Sequence, residues 1–205
     1  MRVAIVGGTG PFGRALATRL EKAGDEVVIG SRDAARATAT AAALGVEGAT
    51  NAEAVHRADI VVLATKADAA LDTARELRDA IGVTPVVSVA SELRITAEGV
   101  LPSPESTSIA ERIQAELEGP VVAGLHSLAA SNLGSEQLPD EDAFVCGDDA
   151  QAKGLALELA GRVTSGRALD AGPLASARAL EGLTAVIVNL NKRYGTRAGL
   201  RVTGI

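Results

Sequence analysis

The chain opens on Val3-Ala4-Ile5-Val6-Gly7-Gly8-Thr9-Gly10-Pro11-Phe12-Gly13, and no other stretch limits its fold so tightly. Four apolar residues in a row suit a strand buried on both faces. Pro11 suits a first helical position, where its missing N–H is not needed. Phe12, Leu16, Leu20 and Ala23 then recur at helical spacing on one face. Gly8, Gly10 and Gly13 thereby form G-x-G-x-x-G in a strand–turn–helix setting, the dinucleotide fingerprint. In that fingerprint Gly8 permits the tight turn, Gly10 lets a diphosphate approach the backbone, and Gly13 lets the helix lie close on the strand. The helix N-terminus offers free N–H groups and a partial positive charge to the diphosphate. Gly8, Thr9, Gly10, Pro11, Phe12 and Gly13 are thus the first candidate cofactor-binding residues.

The next segment chooses the cofactor. Glu26 to Gly30 reads as a second strand, followed by Ser31-Arg32-Asp33 and an alanine-rich helix through about Leu44. An NAD site carries Asp or Glu at the end of this strand, about 20 residues past the glycines, to hold the ribose hydroxyls. Here Ser31-Arg32 stands at that place, with Arg36 one helical turn further on. Two guanidiniums and a hydroxyl bind a 2′-phosphate by charge-assisted hydrogen bonds, whereas a carboxylate would repel it. Thr9 can add a hydroxyl from the opposite side. NADP(H) is therefore the expected cofactor, against the plainer alternative that both arginines belong to a solvated helix start.

The αβ alternation continues, with strands expected at 45–49, 59–64 and 85–89 and helices at 52–57 and 68–80. Such alternation implies an α/β fold built on a doubly wound parallel, Rossmann-like sheet. Ligands of these sheets sit beyond the carboxyl ends of the strands. Thr65, Lys66 and the stretch Ser88 to Ser91, including Ala90, fall at those ends, around the expected nicotinamide position. Residues 90–106 read as a loop over the site, and Ser106 or Thr107 as the cap of a helix through Leu117. A sixth strand over 121–125 ends at His126, whose ring has two readings. It can donate a hydrogen bond where charge collects on a reduced substrate ring, or it can be satisfied by backbone. A further strand over 143–146, a helix from Gly147-Asp148-Asp149 and a last helix from Ser176 to about Tyr194 complete the chain. Residues 1–125 are read as the nucleotide-binding domain and 126–205 as a small C-terminal lobe that completes the substrate pocket and the dimer contacts.

Composition narrows the remaining choices. A formal charge of −6 argues against nucleic acid as the main partner. No apolar run approaches the roughly 18 residues of a membrane span, and the first strand leaves no room for a secretory leader, so a cytoplasmic protein is expected. Cys146 is the only cysteine, which rules out an internal disulfide and a cysteine metal cluster, and no metal is expected. The Asp148-Asp149 pair reads as a helix cap. Phe12, Phe144 and Tyr194 are the only aromatic residues, so a flat ligand has little aromatic side chain to stack on.

These pieces resemble the NADPH-dependent reductases of the deazaflavin coenzyme F420. The matching segments are Gly7-Gly8-Thr9-Gly10, Gly30-Ser31-Arg32, Asp72-Thr73-Ala74-Arg75, Leu125-His126, Val145-Cys146-Gly147-Asp148-Asp149, Leu169-Asp170-Ala171-Gly172-Pro173-Leu174 and Glu181-Gly182-Leu183-Thr184. The resemblance implies hydride transfer between NADP(H) and coenzyme F420, with Thr9, Ser31, Arg32 and Arg36 on the 2′-phosphate and the His126 loop along the deazaflavin pocket. It also implies a homodimer. The chain departs from the family pattern at Lys66-Ala67, where a proline and an aromatic residue are usual, and over 90–105. Those departures keep two alternatives open, reduction of a free flavin or of a small imine or carbonyl, and NADP(H) sensing without catalysis.

Overall fold

The computed structural model describes the whole chain, Met1–Ile205. Its first half alternates strand and helix: β1 (Arg2–Val6), α1 (Pro11–Lys22), β2 (Glu26–Ser31), α2 (Ala34–Leu44), β3 (Glu47–Thr50), α3 (Asn51–Val55), β4 (Ile60–Leu63), α4 (Ala67–Ile81) and β5 (Val86–Ser88). The second half adds β6 (Leu93–Thr96), β7 (Gly99–Pro102), α5 (Ile109–Gln114), β8 (Val121–Gly124), α6 (Ala130–Leu133), β9 (Ala143–Gly147), α7 (Ala150–Arg162), β10 (Ala168–Asp170) and α8 (Ala177–Tyr194). No helix is long and apolar enough to cross a membrane.

Eight strands form one sheet in the order β10-β9-β8-β5-β4-β1-β2-β3. The continuous apolar runs explain its burial on both faces. Along β1, Ala4 and Val6 pack into one core with α4 and α5, while Val3 and Ile5 pack into the other with α1 and α7. The strand order reverses direction between β1 and β4, so the crevice for a ligand lies beyond their carboxyl ends. All neighbours are parallel except β8 and β9, which pair antiparallel through Ala123 and Cys146. The connection between them, residues 125–142, carries only the four-residue α6 and no long helix of the kind that usually joins parallel neighbours. Strands β9 and β10 extend the sheet begun by β1, so the two halves of the chain share one hydrogen-bonded layer.

Several boundaries differ from the sequence expectation for local reasons. Gly45 terminates α2 in the left-handed region, φ 72°, which delays β3 to Glu47. Ala23 is exposed because α1 stops at Lys22. The cap of α5 is Ser108, with Glu111 completing a reciprocal capping box, not Ser106 or Thr107. The larger difference is the segment over 90–106, expected as a loop. It folds into the β6–β7 hairpin, with Leu93 opposite Pro102 and Ile95 opposite Val100. A side chain far away in sequence secures it: Asn189 on α8 accepts from the Val100 N–H at 2.8 Å and donates to the Val100 carbonyl at 2.7 Å.

One buried cation joins the two halves. Arg19 on α1 is 5% exposed and donates to the backbone carbonyls of Leu133 (2.7 Å), Ser135 and Gln137 (2.5 Å). Four or five donors on one planar group suit such a ring of carbonyls, which no lysine could match. Replacing Arg19 by Leu leaves those carbonyls buried without donors, and we expect a loss of about 2–4 kcal/mol of stability. Urea unfolding checks this: an unchanged midpoint would show that the clamp contributes nothing.

Candidate functional site

The turn between β1 and α1 is shaped by exclusion. Gly7, not Gly8, supplies the left-handed backbone, at φ 74°. Gly8 is needed for space: a methyl there would sit 2.7 Å from the Ile5 carbonyl oxygen and 2.9 Å from an Ile29 side-chain carbon. A methyl on Gly13 would sit 2.6 Å from the Gly8 Cα, so α1 rests directly on the turn. Gly10 is different, since its methyl would meet nothing nearer than the Gly7 oxygen at 3.5 Å. Its outer side is open. Gly10 is also the N-cap of α1 and makes no side-chain capping bond, and Pro11 takes the first turn. This cradle fits a diphosphate on the physical grounds expected of the fingerprint. Phe12 lies half-buried against the apolar core beneath α1.

At the end of β2, Ser31 is buried and its hydroxyl accepts from the Asp33 N–H at 3.2 Å. Asp33 in turn caps α2 by accepting from the Arg36 N–H. These two bonds fix the start of α2 and leave the Arg32 and Arg36 side chains exposed, neither guanidinium bonded to any group of the chain. Thr9 and Arg36 line one cavity of about 570 Å³, together with Arg14 and Thr18 from α1 and Leu44 from α2. Arg32 stands outside that lining. Nothing in the fingerprint singles out Arg14, although its place one turn into α1 puts it on the side facing α2.

The other part of the site lies at the carboxyl ends of β4, β5 and β8, adjacent strands in the sheet. Three buried polar atoms there have no partner in the chain: Thr65 Oγ1, Ser88 Oγ and His126 Nδ1. Unsatisfied buried groups are costly, and their concentration at one sheet edge marks a place where a ligand supplies the missing bonds. His126 is buried, with Nε2 3.2 Å from the Ala90 carbonyl oxygen. That carbonyl can only accept, so Nε2 carries the proton and Nδ1 is left as an acceptor. Burial lowers the pKa of the ring to about 4, outweighing the Ala90 bond. The ring therefore offers a ligand a lone pair, where the sequence suggested a donor. Leu125 before it adopts φ 65°, rare for a branched side chain and a mark of local strain.

A hydroxyl pair completes this edge. Thr184 on α8 donates to the His126 carbonyl at 3.1 Å and lies 2.8 Å from the Ser91 hydroxyl. Thus α8 is fastened to the ends of both β5 and β8. Lys66 lines a second cavity of about 680 Å³ with Ser91, Ile95, Val188 and Lys192. Cys146 is buried, and its thiol is pushed up to about 11, chiefly by burial. Asp149 caps α7 through the Ala152 N–H at 2.7 Å, and Asp148 accepts from the Leu174 N–H at 2.9 Å, so both carboxylates are occupied by backbone.

Comparison with known proteins bears on this arrangement. Residues 2–92 match the family model described as NADP oxidoreductase, coenzyme F420-dependent. Over its full length the chain is 35% identical to the F420-dependent NADP reductase of Methanothermobacter thermautotrophicus, 96% of which is covered. It is 33% identical to the enzyme of that name from Methanocaldococcus jannaschii, over 100% of this chain and 99% of that one. The chain belongs to the F420-dependent NADP reductase family. A crystal structure from Arthrobacter sp. FB24, named for the same kind of reductase, superposes over the whole of both chains with a TM-score of 0.84 at 27% identity.

In this F420-dependent NADP reductase family member, two of the C-terminal segments that carried the resemblance are architectural. Glu181, on α8, is buried and accepts from the Ala110 N–H at 3.2 Å, and burial raises its pKa. The Asp148 carboxylate holds the turn at Leu174 that leads into α8. Together they seat the helix that brings Thr184 to His126. The state of His126 is directly measurable. Its ring should stay neutral from pH 8 down to about 5, because burial favours the uncharged form, and should titrate near 4. In the unfolded chain the ring takes up its proton near pH 6.5, so acidification between those values draws stability away. NMR titration of the imidazole checks this; a midpoint between 6 and 7 would contradict the burial argument.

Proposed function

We infer that this chain is an oxidoreductase that moves a hydride between NADP(H) and the deazaflavin coenzyme F420. The observation that carries this reading is the row of unpartnered groups, Thr65 Oγ1, Ser88 Oγ and His126 Nδ1, placed beside the glycine cradle on the carboxyl edge of the sheet. When bound, the nicotinamide and deazaflavin rings carry the hydride chemistry themselves. The chain's own residues bind, orient and exclude water. Gly8, Gly10, Pro11, Phe12 and Gly13 form the diphosphate cradle, and Thr9, Ser31, Arg32 and Arg36 hold the 2′-phosphate. Thr65, Lys66 and Ala90 flank the nicotinamide. His126, locked by the Ala90 carbonyl, presents Nδ1 as an acceptor to an N–H of a ring or its carboxamide. The aliphatic surroundings keep water from the gap between the rings, which must close to about 3–3.5 Å for transfer.

In this reading residues 1–125 bind the nucleotide and 126–205 form the cap over the second ring. The chain works in the cytoplasm as a homodimer. Supporting the dimer is a mostly apolar groove of about 550 Å³ along α8, lined by Pro102, Ala175, Ala179, Gly182, Leu183 and Val186 together with Arg178. The charge of −6 supports small-molecule partners over nucleic acid.

Mixing the protein with NADPH and oxidised coenzyme F420 should bleach the visible band of the deazaflavin. Turnover with flavin mononucleotide alone would move the reading to a flavin reductase, and tight NADPH binding without any turnover would move it to a sensor. Arg32→Asp should weaken NADPH by roughly 10- to 100-fold, the size of a lost charge-assisted bond plus repulsion, while NADH changes little. Equal weakening of both nucleotides would remove the reason for naming NADP.

A further inference from the structure

We propose that the cavity between the start of α4, the β6–β7 hairpin and α8 receives an acidic tail of the ring substrate, phosphate- or carboxylate-bearing, with Lys66 and Lys192 as its cations. This rests on the reading of the second substrate as a deazaflavin coenzyme that carries such a tail. The cavity, of about 680 Å³, includes Ser91 at its inner end, and Ser91 reaches the ring site through Thr184 and the His126 carbonyl. A ring placed against His126 would therefore have its substituent beside Ser91, aimed at the two lysines.

The charges around this cavity are arranged for an anion. The chain has only four lysines, and two of them line this one cavity in a protein of net charge −6. Lys153, by contrast, is paired with Asp170 at 3.0 Å. Neither Lys66 nor Lys192 makes a hydrogen bond or ion pair within the chain, since every ion pair involves other cations. Of the two carboxylates on the cavity wall, Glu92 is engaged by Arg112 at 2.9 Å, and Asp68 offsets one of the two ammonium charges. The wall keeps an excess of positive charge. Ammonium groups on long flexible stems suit a flexible anionic chain, because they bind as point charges and impose no fixed fork. The hairpin contributes Ile95, 83% exposed, which a bound tail would cover. Because Asn189 anchors the hairpin to α8, this wall is a fixed part of the cavity.

Lys66 lies after β4, outside the glycine fingerprint. Lys66 and Lys192 are thus specificity-determining residues for the part of the substrate that takes no part in hydride transfer.

The test is equilibrium titration of deazaflavin fluorescence, with NADP⁺ present, using coenzyme F420 and the same ring carrying only its sugar-alcohol chain. Wild type should bind the tailed form more tightly, with the difference collapsing in high salt. Lys66→Gln and Lys192→Gln should each weaken the tailed form by about threefold to fivefold, and the pair by about tenfold or more, as for exposed charge pairs. The tail-free form should keep its affinity in Lys192→Gln, and Lys22→Gln, on the far end of α1, should change neither. Equal affinity of wild type for both forms, with F420 turnover intact, overturns the tail site alone. Parallel weakening of both forms in Lys192→Gln overturns it as well. Binding of neither form overturns the assignment of the substrate and the tail site with it.

Discussion

The seating of α1 on the first turn is the contact from which the rest of the molecule takes its geometry. Gly13 lies so close to Gly8 that a methyl group on Gly13 would collide with the Gly8 backbone. That closeness sets the direction of α1 over β1 and β2, leaves Gly10 open at the helix start, and brings the Arg19 side chain under the 133–137 loop. A shift of α1 by the width of a methyl would disturb the diphosphate cradle and the junction between the two halves together. Protein interiors are packed too densely to absorb such a shift elsewhere.

A second arrangement holds the substrate side. Helix α8 carries three polar contacts in register along its length: Glu181 to α5, Thr184 to the His126 carbonyl and Ser91, and Asn189 to the β6–β7 hairpin. Each fastens one wall of the region around the second ring to the same rigid helix. Thr184 holds the His126 backbone, burial keeps its ring neutral with Nε2 committed to the Ala90 carbonyl, and Asn189 fixes the hairpin as a wall. Hydride transfer depends on distance and angle more than on any reactive side chain. A site built from locked backbone and one buried imidazole answers that requirement.

The departures from expectation share a cause. The fingerprint, the buried strands and the Asp149 helix cap depend on neighbours within a few residues, and they are legible from residue order. The hairpin was not, because its short strands contain Gly99 and Pro102 and its anchor lies 89 residues away on α8. The antiparallel course of β9 is set by its pairing with β8 across a connection without a crossover helix, which apolar periodicity does not report. Arg19 looks in sequence like any helix-surface arginine, and only the carbonyls of a loop more than a hundred residues later make it a buried clamp.

By itself, then, the order of residues settled a Rossmann-like sheet and the glycine-rich turn between its first strand and helix, and it put two arginines just past the second strand, since local sterics and short-range periodicity impose all three. Tertiary structure alone decided which nitrogen of His126 is free, which of the glycines bears the turn and which the close approach, and that Lys66 and Lys192 share a cavity. Protonation, exclusion and charge pairing depend on what packs against a group. For these residues the packing partners come from elements dozens to more than a hundred positions away.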